Sequence, residues 1–392
     1  MRTFYNYINK KILGLKKINL YREMKTASVI KGNEVLINGN HCVNFSSNDY
    51  LGLSQHPEVI QKTIDGIKEF GVGAGASRLI SGNREYHTKL EEELALFKGK
   101  EACLLFGSGY LANLSLLSTL PTSHDLVLSD ELNHASIIDG CKLSRAKIVS
   151  YPHNNMNWLN DFLESNRGKY TNVFIVSDAI FSMDGDIISL RDLYEISNIF
   201  ETIPILDEAH STGVIGLNGR GIESYYNIEN PNSIIMGTLG KALGSYGAFV
   251  CGKKELIDFL INKSRTFIFT TALPPAPVIS ATVALELIKK NAQIHFQLRE
   301  NVKYFVNCLL QSGIEVFSKS AIIPIIIGKA DITMSISDDL LRNGVYMQGI
   351  RPPTVSKDAS RIRITMSSTH TEKQLNNALN ILVDTLKKYG II

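Results

Sequence analysis

From Glu101 onward, short apolar runs alternate with longer amphipathic stretches, and this alternation restricts the fold more than any other feature of the chain. The runs are Ala102–Phe106, Leu126–Leu128, Lys147–Tyr151, Val173–Ser177, Ile203–Leu206, Ile234–Met236 and Ala248–Cys251. Strands of this length, separated by helix-length segments, join as βαβ units around a mostly parallel sheet. After about Lys290 the pattern becomes helical. Short strands are then expected near Ile314–Phe317, Ile322–Ile327 and Arg361–Met366, with a last helix over Thr371–Lys388. The sequence thus predicts an α/β fold: an N-terminal helical segment (residues 1–45), a large domain with a mostly parallel sheet (46–288) and a smaller C-terminal α+β domain (289–392). No repeat, low-complexity tract or Pro/Gly/Ser linker divides the chain, so the expected boundaries are soft.

Composition removes several function classes. The 41 basic and 38 acidic residues leave a formal charge of +3, too balanced to point to nucleic acid or a membrane surface. The five cysteines, Cys42, Cys103, Cys141, Cys251 and Cys308, are widely spaced and form no C-x-x-C pair. They read as reduced thiols of a cytoplasmic protein. No stretch approaches the roughly 20 apolar residues of a membrane span, and no signal-peptide pattern opens the chain. The nine histidines include neither H-E-x-x-H nor a Cys/His cluster, so no metal site is expected. Met1–Lys25 is basic, with Ile8, Ile12, Leu15 and Ile18 at roughly helical spacing. A docked amphipathic helix is the preferred reading. A transit peptide is the alternative, although such peptides are rich in Arg and Ser rather than Lys, Asn and Ile.

Four segments that follow apolar runs carry chemistry, and in an open α/β sheet ligands bind beyond the carboxyl ends of the strands. Gly237-Thr238-Leu239-Gly240-Lys241 places a lysine just past a strand. It is not a Walker A loop, because only two residues separate Gly237 from Gly240 and Ala242 follows the lysine. Asp207-Glu208-Ala209-His210 follows Ile203–Leu206, and no G-K-[ST] lies upstream to make it part of a nucleotide hydrolase. A carboxylate there could face a cation. At about 4 Å and an effective dielectric near 20, such a pair gains on the order of 4 kcal/mol, or about three pKa units, enough to keep a pyridine nitrogen protonated. Gly107-Ser108-Gly109-Tyr110, before a helix-like stretch, suits an anion at a helix N-terminus. His134 follows Leu126–Leu128 and could stack on a flat ligand. Taken singly, each feature also fits a structural role: a solvated lysine, a strand-end salt bridge, a simple turn, a buried histidine bonded to backbone. Gly71-Val72-Gly73-Ala74-Gly75 lacks the G-x-G-x-x-G spacing and a preceding strand, so it is not read as a dinucleotide site.

Together these residues resemble the α-oxoamine synthases, pyridoxal-phosphate enzymes of the aspartate-aminotransferase fold (fold type I) that join an amino acid to an acyl thioester with loss of carbon dioxide. The resemblance runs through Asn44–Leu53, Gly73–Arg78, Ser81-Gly82-Asn83, Phe181–Asp186, Asp207–Gly213, Gly237–Gly244 and Thr270–Pro275. It implies that Lys241 carries the cofactor as a Schiff base, Asp207 partners the pyridine nitrogen and His134 stacks on the ring. It further implies Ser182 and His210 on the phenolic-oxygen side and Gly109, Tyr110 and Thr238 at the phosphate end. Thr270 and Thr271 would reach the neighbouring subunit's phosphate, implying a homodimer with shared active sites.

Arg351-Pro352-Pro353-Thr354-Val355 resembles the branch of this family that condenses L-alanine with a pimeloyl thioester in biotin synthesis. The donor would be a coenzyme A thioester or an acyl-carrier protein, and the basic N-terminus would suit an acidic carrier. In that pattern Arg363 binds the amino acid's carboxylate by a bidentate contact. Arg22, at the matching distance before Asn48, would serve the product's carboxylate, with Arg351 and Thr354 beside it. Surface charge is the plain alternative for Arg22 and Arg351. Glycine C-acetyltransfer is the alternative reaction, and a silent pyridoxal-phosphate-binding homologue is the alternative of another class.

Overall fold

The computed structural model describes residues 3–392, which fall into two compact units. The larger comprises Asn48–Ser182 and Asp186–Phe296; the smaller comprises the chain up to Ser47, Met183–Gly185 and Gln297–Ile392.

The larger unit is built on a seven-stranded sheet. Its spatial order is Ala102–Phe106, Ala248–Gly252, Ile234–Thr238, Ile203–Asp207, Val173–Asp178, Leu126–Asp130 and Lys147–Tyr151. All seven expected apolar runs are strands. Only Ala248–Gly252 runs antiparallel to its neighbours, so the carboxyl ends of the other six share one edge of the sheet. Val173–Asp178 and Leu126–Asp130 are buried along their whole length, which is why they read as unbroken rather than alternating apolar runs. Val127, Val176, Ile205, Met236 and Val250 pack with Leu116 and Ile137 from covering helices into one core. Each such side chain contributes roughly 1.5–3 kcal/mol when fully buried.

The smaller unit has a three-stranded antiparallel sheet, ordered Ile322–Gly328, Ser360–Thr365, Gln348–Ile350. It also contains the helices Ala292–Gln311 (whose first residues belong to the larger unit), Ala330–Arg342 and Glu372–Lys388. The last helix begins with a capping box between Thr371 and Gln374. Ile314–Phe317, expected as a strand, is irregular here. It pairs with no strand, and Phe317 is exposed. Residues 1–45, expected to be helical, are so only over Phe4–Lys17. Ala27–Lys31, Glu34–Ile37 and Asn40–Asn44 are strands of a four-stranded sheet completed by Val345–Tyr346. The overlooked signal is Asn38-Gly39, whose positive φ values of 49° and 84° make the two-residue hairpin turn that Asn-Gly favours. The helix Phe4–Lys17 has no buried residue, so the expected docking of its apolar side is not seen. Only Ile8 and Ile12, one turn apart, are half-buried along it. Among the described residues, no helix is long and apolar enough to cross a membrane.

Three histidines give the fold a pH dependence. In the larger unit, His87 accepts from Arg84 N at 3.1 Å and donates to Leu273 O at 2.9 Å; burial lowers its pKa to about 4. In the smaller unit, His370 accepts from Ser367 N and donates to Asn44 O, and burial likewise takes it to about 4. His153 behaves oppositely. Burial opposes its charge, but hydrogen bonds at 3.0 Å to Asp130 and 2.9 Å to Asp186 prevail and raise it to about 10. For His87 and His370, stability is complete above the unfolded value of about 6.5 and is lost as pH falls toward 4. For His153, it is complete below about 6.5 and is lost as pH rises toward 10. Thermal unfolding followed across this range should therefore show greatest stability near neutrality, with His153→Gln flattening the alkaline limb and His87→Gln the acid limb. An alkaline limb unchanged in His153→Gln would refute the Asp130–His153–Asp186 ion triad.

Candidate active site

At the shared carboxyl edge of the larger unit lies a cavity of about 190 Å³. It is lined by Gly109, Tyr110, Asn113, His134, Ser136, Asp178, Ser182, Asp207, Ala209, His210, Met236, Thr238 and Lys241. Eight of these were expected from sequence: Gly109, Tyr110, His134, Ser182, Asp207, His210, Thr238 and Lys241. The strand topology brings them together from loops spread over more than a hundred residues.

Asp207 ends the strand Ile203–Asp207 and is buried. Its Oδ1 accepts from Ala209 N at 2.9 Å and its Oδ2 from Asn113 Nδ2 at 2.8 Å. Asp178 stands directly beside it in register on the next strand. There burial, and then the charge of Asp207, pushes the Asp178 carboxyl well above the usual range. Asp178 Oδ2 accepts from His134 N at 2.8 Å, which anchors the loop entering the helix Ala135–Leu143. His134 caps that helix through Nδ1.

Lys241 Nζ lies 2.8 Å from His210 Nε2, and His210 Nδ1 lies 2.5 Å from the Tyr50 hydroxyl. Tyr50 in turn donates to Asn48 Oδ1 at 3.3 Å. A charged lysine amine can only donate, so His210 Nε2 accepts and its Nδ1–H donates to Tyr50. The series Lys241, His210, Tyr50, Asn48 then runs in one direction, bringing Asn48 into the network although it does not line the cavity. Tyr50 was not singled out from sequence; its place between Asn48 and Leu51 was the available signal. Asn113 and Ser136 were also missed, because nothing in a helix-like stretch distinguishes a polar residue that faces a site from one that faces water.

Two of the three glycines around Lys241 have packing roles. Gly237 sits opposite Phe249 across the antiparallel pair, and a Cβ there would come within 2.3 Å of the ring. Gly244, at φ 61°, would clash with the backbone of Ser54. Thr238 Oγ1 accepts from Gly240 N at 3.1 Å and donates to Gly247 O at 3.0 Å, shaping the turn that presents Lys241. At the other end, Ser108 caps the helix Gly109–Thr119. A Cβ on Gly109 would find only Met236, 3.8 Å away, so the glycine leaves space at that helix N-terminus.

These features fit pyridoxal phosphate. The cavity has room for one small ring system rather than a dinucleotide. It combines a buried carboxylate for a ring nitrogen, an amine for an aldehyde carbon, a flat histidine and a helix N-terminus for a phosphate. Thr270 and Thr271, expected to act on a neighbouring subunit, do not line it. They lie in a much smaller pocket with Arg78 and His87, and Thr271 bridges Ser77.

The smaller unit holds the remaining expected residues. Arg22, Arg351 and Thr354 line a cavity of about 560 Å³ with Tyr21, Lys25 and Asp338. Arg22 Nη2 donates to Pro352 O at 3.1 Å and Arg351 donates to Tyr21 O. Arg351 Nε is buried without a hydrogen-bond partner. Arg363 does not line this cavity; it is buried on Ser360–Thr365 and donates to Thr365 Oγ1 at 2.9 Å.

Residues 40–382 match the family of class I and II aminotransferases. The 8-amino-7-oxononanoate synthase of Geobacter sulfurreducens is 41% identical over 96% of this chain and 97% of its own length. A solved 8-amino-7-oxononanoate synthase from Francisella tularensis superposes with a TM-score of 0.76 at 32% identity, covering 90% of this chain and 99% of that one. A high-resolution structure of SPT with a PLP internal aldimine superposes with a TM-score of 0.93 at 26% identity, covering all of both chains.

Glu208, next to Asp207, turns away from the cavity. Its Oε2 meets Lys98 Nζ at 2.5 Å and accepts from Thr212 Oγ1 at 2.9 Å, with both charged groups almost fully buried. Breaking such a pair strands a charge and costs about 3–5 kcal/mol. Lys98→Met should lower the urea unfolding free energy by that amount, and Lys98→Met/Glu208→Gln should recover part of it. A single-variant change of a few tenths of a kcal/mol would show that the pair is not buried in solution.

Proposed function

We propose that this chain, which belongs to the class I and II aminotransferase family and within it to the α-oxoamine synthases, condenses L-alanine with a pimeloyl thioester. The products are 8-amino-7-oxononanoate, carbon dioxide and the free thiol, a step of biotin synthesis. The observation that carries this reading is the convergence of Lys241, His210, Asp207 and His134 on one cavity.

Pyridoxal phosphate, when bound, supplies an electron sink for charge that develops at the amino acid's α-carbon. The residues that would hold it are Lys241 through its amine, Asp207 at the ring nitrogen and His134 on the ring face. Ser182 and His210 would sit at the phenolic side, with Gly109, Tyr110 and Thr238 at the phosphate. Asp207 is suited to its part because burial and two fixed donors keep its carboxylate in one orientation. Lys241 is the general base that takes the proton from the α-carbon and returns one to the product. His210, anchored by Tyr50, holds the lysine amine in place between these steps.

The remaining assignments belong to this proposal. Arg363 takes the amino acid's carboxylate, and Asn48 contacts substrate. Arg22, Arg351 and Thr354 serve the distal carboxylate of the acyl chain and product. Burial, and then the charge of Arg22, lowers the pKa of Arg351, although Asp338 opposes this. Two guanidiniums in one cavity, one with an unpaired Nε, favour an anionic guest. The enzyme works as a cytoplasmic homodimer in which Thr270 and Thr271 complete the partner's phosphate site. Its donor is pimeloyl-coenzyme A or a pimeloyl acyl-carrier protein, the latter suited to the basic N-terminal segment.

Thiol release should be followed with alanine or glycine, each paired with pimeloyl-, acetyl- or palmitoyl-coenzyme A. Alanine with the pimeloyl donor should give the fastest turnover, and Lys241→Ala should lower kcat by about 10²–10⁴-fold or more. Preference for glycine with the acetyl donor would keep the family and overturn the substrate assignment.

A further inference from the structure

We propose that Asn113 and Ser136 form a directed hydrogen-bond relay from Asp207 to His134 that fixes His134 as the neutral Nε2–H tautomer, making both of them positioning residues of the site. The functional meaning rests on the reading above of Asp207 and His134; the relay itself rests on donor and acceptor counting.

Asn113 projects from the helix Gly109–Thr119 and is 2% exposed. Its Nδ2 carries two hydrogens and no lone pair, and it makes two contacts, to Asp207 Oδ2 at 2.8 Å and to Ser136 Oγ at 2.9 Å. Turning the amide over would set its oxygen against the Asp207 carboxylate, so the carboxylate selects the orientation. Ser136 is 1% exposed. Having accepted from Asn113, its hydroxyl directs its single hydrogen to His134 Nδ1, 2.8 Å away. The Ser136 backbone N–H meets the same nitrogen at 3.2 Å. A nitrogen facing two donors must keep its lone pair, which leaves the ring hydrogen on Nε2. An imidazolium would place a third hydrogen among those donors. The surroundings act in the same direction overall: burial lowers the pKa of His134, Asp207 opposes this, and Lys241 adds to it.

The consequence is a division of charge. A carboxylate that keeps a pyridine nitrogen protonated makes the ring cationic, and a cationic imidazole stacked on that ring would be repelled. Through Asn113 and Ser136, the same carboxylate holds the stacking histidine neutral. One anion thus sets both protonation states, with two neutral side chains passing its orientation across the cavity wall.

The test is long-range ¹H–¹⁵N correlation spectroscopy of histidine-labelled holoenzyme at neutral pH, with His134 assigned by His134→Gln. The wild type should show His134 with a bare Nδ1 and a protonated Nε2. Ser136→Ala and Asn113→Leu should each move the signal toward a mixture of tautomers and lower kcat by roughly ten- to a hundredfold. Ser136→Thr, which keeps the hydroxyl, should restore the wild-type signal. A wild-type His134 that is doubly protonated or carries its hydrogen on Nδ1 overturns the relay, as does a tautomer unchanged in folded Ser136→Ala and Asn113→Leu. Thermal unfolding of each variant identifies loss of fold, in which case Ser136→Cys and Asn113→Ser take its place. If the spectra hold while no substrate pair turns over, the relay stands and only the functional reading fails.

Discussion

The site depends on one buried carboxylate kept in a single orientation. Asp207 ends a central strand with almost no access to water, where an isolated charge would be very costly. Two donors offset part of that cost: the backbone N–H of Ala209, supplied by the turn itself, and the amide of Asn113, supplied by a covering helix. The second donor matters more for architecture, because it requires the helix Gly109–Thr119 to lie over the carboxyl edge of the strand. The same helix presents its N-terminus and Gly109 to the cavity. The Asp207 carboxylate and the helix N-terminus that line the cavity are therefore fixed by a single packing arrangement.

Neighbours in sequence have divergent duties. Asp207 and Glu208 look like one acidic pair, yet the first faces the cavity and the second is neutralised by Lys98 inside the fold. The turn beyond the strand sends consecutive side chains to opposite sides, and Gly221, at φ 101°, leaves the space Glu208 occupies. The glycines around Lys241 divide similarly. Gly237 and Gly244 let Phe249 and the Ser54 backbone approach, while Thr238 and Lys241 are the loop's side chains that line the cavity.

This division explains what the sequence disclosed. Strand positions were legible because burial on both faces demands unbroken apolar runs, and parallel pairing then forces their carboxyl ends together. Lys241, Asp207, His134 and Gly109 follow such runs directly and could be placed on that edge. Asn113 and Ser136 could not, since their significance lies in partners 94 and 23 residues away. Tyr50 reaches His210 across 160 residues and was equally hidden, although its segment had been marked by resemblance. The strands within residues 27–44 left little signal beyond Asn38-Gly39, since Ala27–Lys31 is exposed along its whole length and carries no buried apolar run. Ile314–Phe317 failed in the opposite sense, as apolar content without a pairing partner does not make a strand.

The pairing of Asp178 with Asp207 sets two buried carboxyls directly against each other. The two carboxylates stand in register on adjacent parallel strands, so ionising both would place like charges side by side in a poorly solvated environment. Asp207 has two donors, a backbone N–H and the Asn113 amide. Asp178 has the His134 N–H for one oxygen, and its carboxyl is held well above the ordinary range by burial and by its neighbour. A protonated Asp178 adds no second anion beside Asp207. Strand register creates the conflict, and burial together with the neighbouring Asp207 moves the Asp178 carboxyl toward its neutral form.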